Sequence, residues 1–236
     1  MFSECSMRSL FVVALVVVAL VASGASAVNL DLEDCDILIG QSQRQEFDAY
    51  MASQRVKAGK GNLFARKVLA AIANNRFACY LNDLDEGAGW SVMSIPDKNA
   101  AAGGASVMST RVVDAAAIMK SRDAHESLRK AFEAAQALAD EDIAYRNMAS
   151  VYVADYAEAF PEKYAAAYRD ALGVRDVACR YPEKAPGESG KSLCLSAKSA
   201  IASLYLKLPE SERASLEKDG MAWAVQYLKR NGRREK

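Results

Sequence analysis

Few residues in this chain could carry chemistry. His125 is the only histidine, so any Ser–His or Cys–His pair would have to use it as the base. It lies in Ser121-Arg-Asp-Ala-His-Glu126, which reads as the solvated start of a helix, and no G-x-S-x-G turn accompanies it. Paired carboxylates can hydrolyse glycosidic bonds, but with 30 Asp and Glu residues such pairs also arise by chance. A carboxylate-dependent hydrolase would draw on Asp83, Asp85 or Glu86. Asn82-Asp-Leu-Asp-Glu-Gly87 touches the pattern of a calcium loop but misplaces its glycine and its acidic offsets. These residues specify no catalytic group, no metal ligand set and no cofactor site.

The cysteines are more informative. Cys5 lies in an N-terminal segment with Arg8 as its positive region, an unbroken apolar run from Leu10 to Ala22, and Ala25-Ser26-Ala27 as the cleavage site. This is the pattern of a secretory signal peptide, residues 1–27, cut after Ala27. The apolar run is shorter than the roughly 20 residues a membrane-spanning helix needs, and an uncleaved anchor is the alternative. No later segment is apolar enough to span a bilayer. The remaining chain holds Cys35, Cys79, Cys179 and Cys194, an even set that in an exported protein reads as two disulfides. Four cysteines allow three pairings, and spacing leaves all of them open. The short Pro- and Gly-containing interval between Cys179 and Cys194 favours pairing those two, with Cys35 bonded to Cys79. Zinc ligands usually come as C-x2-C pairs, and none of the four is so spaced.

One stretch has the outline of a phosphate cradle. Ala185-Pro-Gly-Glu-Ser-Gly190-Lys191-Ser192 resembles the phosphate-binding loop of nucleotide hydrolases, in particular that of heterotrimeric G-protein α subunits. The resemblance would put Lys191 on the β/γ-phosphate oxygens and Ser192 on Mg²⁺. Such a loop must follow a buried strand. Here Val174-Arg-Asp-Val-Ala-Cys-Arg-Tyr181 precedes it, with a charge every few residues and no β-α-β alternation around it. A Gly/Pro loop held by a disulfide is the simpler reading.

The elements that would position these groups read as helices. Alanine is frequent, and the β-branched runs a sheet needs are few. Asn29, followed by Asp31, Glu33, Asp34 and Asp36, reads as the capped acidic start of a first helix. Lys57-Ala-Gly-Lys-Gly-Asn62 breaks the pattern, and Asn62 can cap a helix carrying Phe64, Val68, Ile72, Cys79 and Tyr80 near one face. Asp85-Glu-Gly-Ala-Gly89 ends it, and Pro96 to Ser106 reads as a loop. Leu128, Phe132, Ala135 and Ala139 mark another helix, and Asp140 can cap the next, through Met148, Val151 and Tyr152. Pro161 restarts a helix at its first position, with Gly173 suited to its end. A loop runs from Pro182 to Lys191. The next helix buries Leu193, Ala197, Ile201, Leu204 and Leu208, and a last one after Pro209 carries Trp223, Tyr227 and Leu228. Tyr145, Tyr152, Tyr156, Tyr164 and Tyr168 recur at helical spacing and read as core and its rim. Pro161 and Pro209 share helix-start chemistry without a wider repeat.

The predicted fold is therefore all-α, a compact bundle of about six to eight helices with two disulfides. The signal peptide is residues 1–27, the helical domain is residues 28–236, and the loop 85–106 is the one place an internal boundary would fall. The 236 residues carry 51% apolar side chains and a formal net charge of zero. That excludes a disordered chain and gives no electrostatic footprint for a nucleic acid.

Cys35, Cys79-Tyr80-Leu81 and Cys194-Leu195, with Tyr205-Leu206-Lys207-Leu208-Pro209 between the last two helices, form an order that resembles small exported immunity proteins. Those helical, disulfide-stapled proteins neutralise peptidoglycan amidases delivered by type VI secretion. The chain departs from that pattern at Ser196, where such proteins often carry Pro, at the late Gly87, and in the long interval between Cys79 and Cys179. One histidine, no metal-ligand spacing, no nucleophile turn and no cofactor loop point to a binding or inhibitory role without catalysis, the signal segment and cysteines to the periplasm or outside the cell, and the resemblance implies that the protein partner is a cell-wall-targeting enzyme. The loops 85–106 and 182–191 are the first surfaces to consider. An envelope-associated structural protein whose basic tail (Lys229, Arg230, Arg233, Arg234, Lys236) meets anionic lipid is the alternative from another class, beside the carboxylate hydrolase.

Overall fold

A computed structural model describes residues 30–84, 115–184 and 190–231. The expected signal segment 1–27, Asn29, the loop 85–106, Ala185 to Ser189, and Arg233, Arg234 and Lys236 lie outside the described residues. Within them the fold is all-α, with no strand among the described residues. The α-helices are α1 (Cys35–Leu38), α2 (Arg44–Gly59), α3 (Leu63–Leu84), α4 (Ala115–Lys120), α5 (Arg122–Leu138), α6 (Ile143–Asp155), α7 (Tyr164–Arg180), α8 (Gly190–Tyr205) and α9 (Glu210–Asn231). Short 3-10 turns at Ala157–Ala159, Pro161–Lys163 and Pro182–Lys184 join the later ones. The described helices exceed the predicted number because α1 and α4 are only 4 and 6 residues long. The described residues from Leu32 onward form one compact unit.

Local chemistry sets most boundaries. Asp34, rather than Asn29, caps α1: its carboxylate accepts from the Asp36 N–H at 2.9 Å. Gly40 takes a left-handed backbone angle, φ +84°, just past the end of α1, and Gln43, at φ 43°, turns the chain into α2. Gly61, at φ +81°, turns the chain between α2 and α3, and the Asn62 side chain accepts from the Ala65 N–H at 2.9 Å. Ser121 caps α5 through the Ala124 N–H. Asp142 caps α6, accepting from the Ala144 N–H at 3.0 Å. The predicted cap, Asp140, instead takes one end of the Arg146 guanidinium at 2.6 Å. Pro161 opens a 3-10 turn that leads into α7 rather than the helix itself.

Helix α3 runs through the N-terminal half with α1, α2 and α5 packed on it, and α7 is the corresponding centre of the second half, in contact with α6, α8 and α9. The α5–α6 contact joins the two halves. The main core includes Phe77, Leu81, Leu128, Phe132, Tyr152 and Tyr168, and a second cluster gathers Ile143, Val174, Val177, Leu193 and Tyr227. The tyrosine series is core and rim as expected, with Tyr145, Tyr152, Tyr156 and Tyr168 buried and Tyr164 half-buried. Phe77 meets Tyr152 and Tyr156 edge-on, at ring-centre distances of 5.9 and 5.4 Å.

Gly173 does not end α7. It sits in mid-helix where α7 crosses α9: a Cβ there would lie 2.5 Å from the Trp223 ring, and one at Gly220 would lie 2.7 Å from the Arg169 carbonyl oxygen. The two glycines let the backbones approach closely. Both disulfides form, Cys35–Cys79 tying α1 to α3 and Cys179–Cys194 tying the end of α7 to the start of α8.

Candidate functional site

The Gly190-Lys191-Ser192 segment is the first turn of α8, with Lys191 and Ser192 exposed. Before it lies helix α7, not a strand, with Val174 and Val177 fully buried in the second core cluster. Two helices joined by a disulfide cannot give the strand–loop–helix path that a phosphate cradle uses. Gly190 has a packing reason instead: a Cβ there would stand 2.5 Å from the Pro182 carbonyl oxygen.

His125 is half-buried in the first turn of α5, its N–H bonded to the Ser121 carbonyl. Asp83 is exposed near the end of α3, and Asp85 and Glu86 lie outside the described residues. Among the described residues no three His, Cys, Asp or Glu side chains cluster as a metal site would require. No helix of the described residues is long and apolar enough to cross a membrane.

Burial controls the unusual acidities. Tyr145, Tyr152 and Tyr156 are all pushed well above the ordinary phenol value by desolvation. The Tyr152 hydroxyl donates to the Asn74 side-chain oxygen, and that of Tyr145 to the Lys67 carbonyl at 3.3 Å. Asp155, at the end of α6, is raised to about 6 by burial. Arg146 is buried, and each of its guanidinium nitrogens donates a hydrogen bond. Its Nε donates to the Ala139 carbonyl at 3.1 Å, and Nη1 and Nη2 donate to Asp170 and Asp140, each at 2.6 Å. Its guanidinium carbon stands 4.1 Å from the centre of the Trp223 ring. With all three guanidinium nitrogens hydrogen-bonded and one face on Trp223, this network is an internal brace between α6, α7 and α9.

The feature that faces outward is a cleft of about 320 Å³ over α3, between α2 and α5. Its floor is a single stripe of α3: Leu69, Ile72, Ala73, Arg76 and Tyr80, at the i, i+3, i+4, i+7, i+11 spacing that keeps side chains on one helix face. Met51 and Arg55 of α2 form one wall. Asp123, Glu126, Ser127 and Lys130 of α5 form the other. Lys130 and Glu126 pair across one turn of α5, and Arg122 sits 3.5 Å from Asp123. The Glu126 carboxyl is held below its usual range first by Lys130 and then by Arg122 and Arg76. Arg55 and Arg76 make no ion pair among the described residues. The cleft thus combines an apolar floor with cations in excess of carboxylates.

Of this cleft the sequence shows Tyr80 and Ile72 as members of one helix face and gives no mark to Arg55 or Arg76. The available signal is Arg76 itself, a cation inside the stripe that Leu69 and Ile72 define. That α2 and α5 flank that stripe is a tertiary fact. No protein-family model matches the chain, and no curated protein or solved structure matches it.

Proposed function

We propose that this is an exported binding protein that acts by occupying a partner, as an inhibitor of a cell-wall-targeting enzyme would, rather than by turning over a substrate. The observation that carries this reading is the cleft over α3, an apolar floor with uncompensated cations on a helical scaffold stapled by two disulfides. Disulfides fit an oxidising, extracytoplasmic compartment, and a preformed scaffold presents a surface at little ordering cost. Of the two loops considered from the sequence, 85–106 lies outside the described residues. The described ends of 182–191 pack on one another through Gly190 and Pro182, which leaves the α3 cleft as the better-defined surface.

The test is reconstitution. The enzyme recovered by cross-linking from the protein's own envelope is assayed on peptidoglycan while the mature domain is titrated in. Complete inhibition at one equivalent is the expected result. Peptidoglycan turnover by the domain alone, lost on a single carboxylate substitution, would overturn the reading.

A further inference from the structure

The α3 cleft has a shape and a charge that define what it takes. Its floor runs from Leu69 to Tyr80, about 16 Å along the helix axis at 1.5 Å per residue. That is three turns of helix, walled on both sides by helices. A trough of this form is filled most completely by another helix lying along it, side chains set between those of the floor. The charge points the same way. Three cations line the cleft, Arg55, Arg76 and Lys130, against two carboxylates, Asp123 and Glu126. Glu126 is shared among Lys130, Arg122 and Arg76, and Asp123 is taken by Arg122. Arg55 and Arg76 are the lining cations in no ion pair among the described residues.

We propose that the cleft receives an acidic amphipathic helix of the partner protein, its apolar face on Leu69, Ala73 and Tyr80 and its carboxylates against Arg55 and Arg76. This rests on the binding function proposed above and assigns it a surface and a ligand chemistry. The apolar floor supplies affinity by desolvation. The two guanidiniums set the sign of the partner's charge and the direction in which its helix lies, because guanidinium–carboxylate pairing is directional.

The experiment places a photo-reactive group at three positions of the full chain in its native host: Tyr80→p-benzoylphenylalanine in the cleft, Lys191→p-benzoylphenylalanine in the rival loop, and Val225→p-benzoylphenylalanine on the exposed side of α9. An adduct from position 80 is expected, its partner peptide mapping to a helical segment with apolar residues at i, i+3 or i+4 and flanking Asp or Glu. Arg55→Glu with Arg76→Glu should lower its yield about tenfold, the loss of two partly exposed charge pairs. Circular dichroism checks that the variant is folded. Arg55→Glu alone, at an exposed position, gives a smaller drop in the same direction should the double variant not fold. An adduct from position 191 or 225 but not 80 overturns the cleft assignment while leaving the binding function standing. No adduct from any position overturns both. An adduct from position 80 that maps to a segment without acidic residues, to a lipid or to a nucleic acid, or whose yield ignores the charge reversal, overturns the proposal.

Discussion

Gly220→Ala should weaken the fold by about 2 kcal/mol, and the reason is visible at the α7–α9 crossing. An added Cβ would lie 2.7 Å from the Arg169 carbonyl oxygen and 2.8 Å from the Leu172 Cβ, distances that real Cβ atoms do not show. The obstacle is helix α7 itself, so no rotamer change relieves it and the helices must separate. Separation would disturb Trp223, which lies against Arg146 and stacks on Tyr227 at 5.1 Å. Overpacking of this kind costs about 1–3 kcal/mol, and a blocked backbone belongs at the upper end. Against it stands the preference of Ala over Gly in a helix, about 1 kcal/mol. The net loss of about 2 kcal/mol corresponds to a fall of roughly 4–8 °C in Tm for a domain of this size. Gly59→Ala is the control. It ends α2 with no atom near a new Cβ and no positive φ, so only the propensity gain remains, up to about 1 kcal/mol. Urea unfolding at pH 7 reads both, as midpoints at an unchanged slope. If Gly220→Ala matches or exceeds the parent while Gly59→Ala gains as expected, the close crossing is not what holds α7 and α9 together.

Two further perturbations have outcomes set by the structure. Asp155 keeps its proton up to about pH 6 in the native state, against 3.8 for the ordinary group, so the folded protein binds a proton that the unfolded chain has released. Stability therefore falls as pH rises from about 4 to about 6 and stays low above that, by up to about 3 kcal/mol. Asp155→Asn should recover most of this at pH 7, with the difference from the parent closing towards pH 4; an equal difference at every pH in urea titrations would refute it. Replacing Cys179 and Cys194 by Ala opens a 15-residue loop and should cost about 3 kcal/mol, whereas opening the 44-residue Cys35–Cys79 loop should cost about 4. The reverse order in non-reducing urea melts would show that native-state contacts, not loop length, decide the staples.

What the sequence revealed was whatever depends on neighbours within one turn of chain. Asn62 and Ser121 cap the helices they precede because a side-chain oxygen reaches an N–H a few residues ahead, whatever the rest of the fold does. The stripe Leu128, Phe132, Ala135 points inward because an amphipathic helix has one apolar side. The misreadings have distant causes. Asp140 and Asp142 are equivalent as caps in isolation; Asp140 is drawn away by Arg146, which the fold also commits to Asp170. Gly173 looks like a helix end because Gly is common there, but its cause lies across the crossing at Trp223 and Gly220. Arg146 itself carried no signal, since a buried arginine looks like a surface one until its partners are placed around it. The cleft is the same case, because it exists only between helices.

The staples and the ion pairs both bear on the surface proposed for binding. The α3 stripe that forms its floor is held at both ends. Beyond Leu69, Lys67 pairs with Asp142 at 2.6 Å and Arg66 reaches Glu141, fixing the start of α3 to the α5–α6 corner. At the other end Cys79, next to Tyr80, is bonded to Cys35 of α1, so that end cannot fray independently of its neighbour. Lys67 and Asp142 are mostly shielded from solvent, which keeps that pair from being screened away by salt as an exposed one is. A helix secured in this way presents Leu69, Ala73, Arg76 and Tyr80 in one fixed register. The partner helix proposed above would then spend little binding energy on ordering them, and Arg76, set on an anchored helix, would favour one carboxylate position where a mobile surface arginine would accept several.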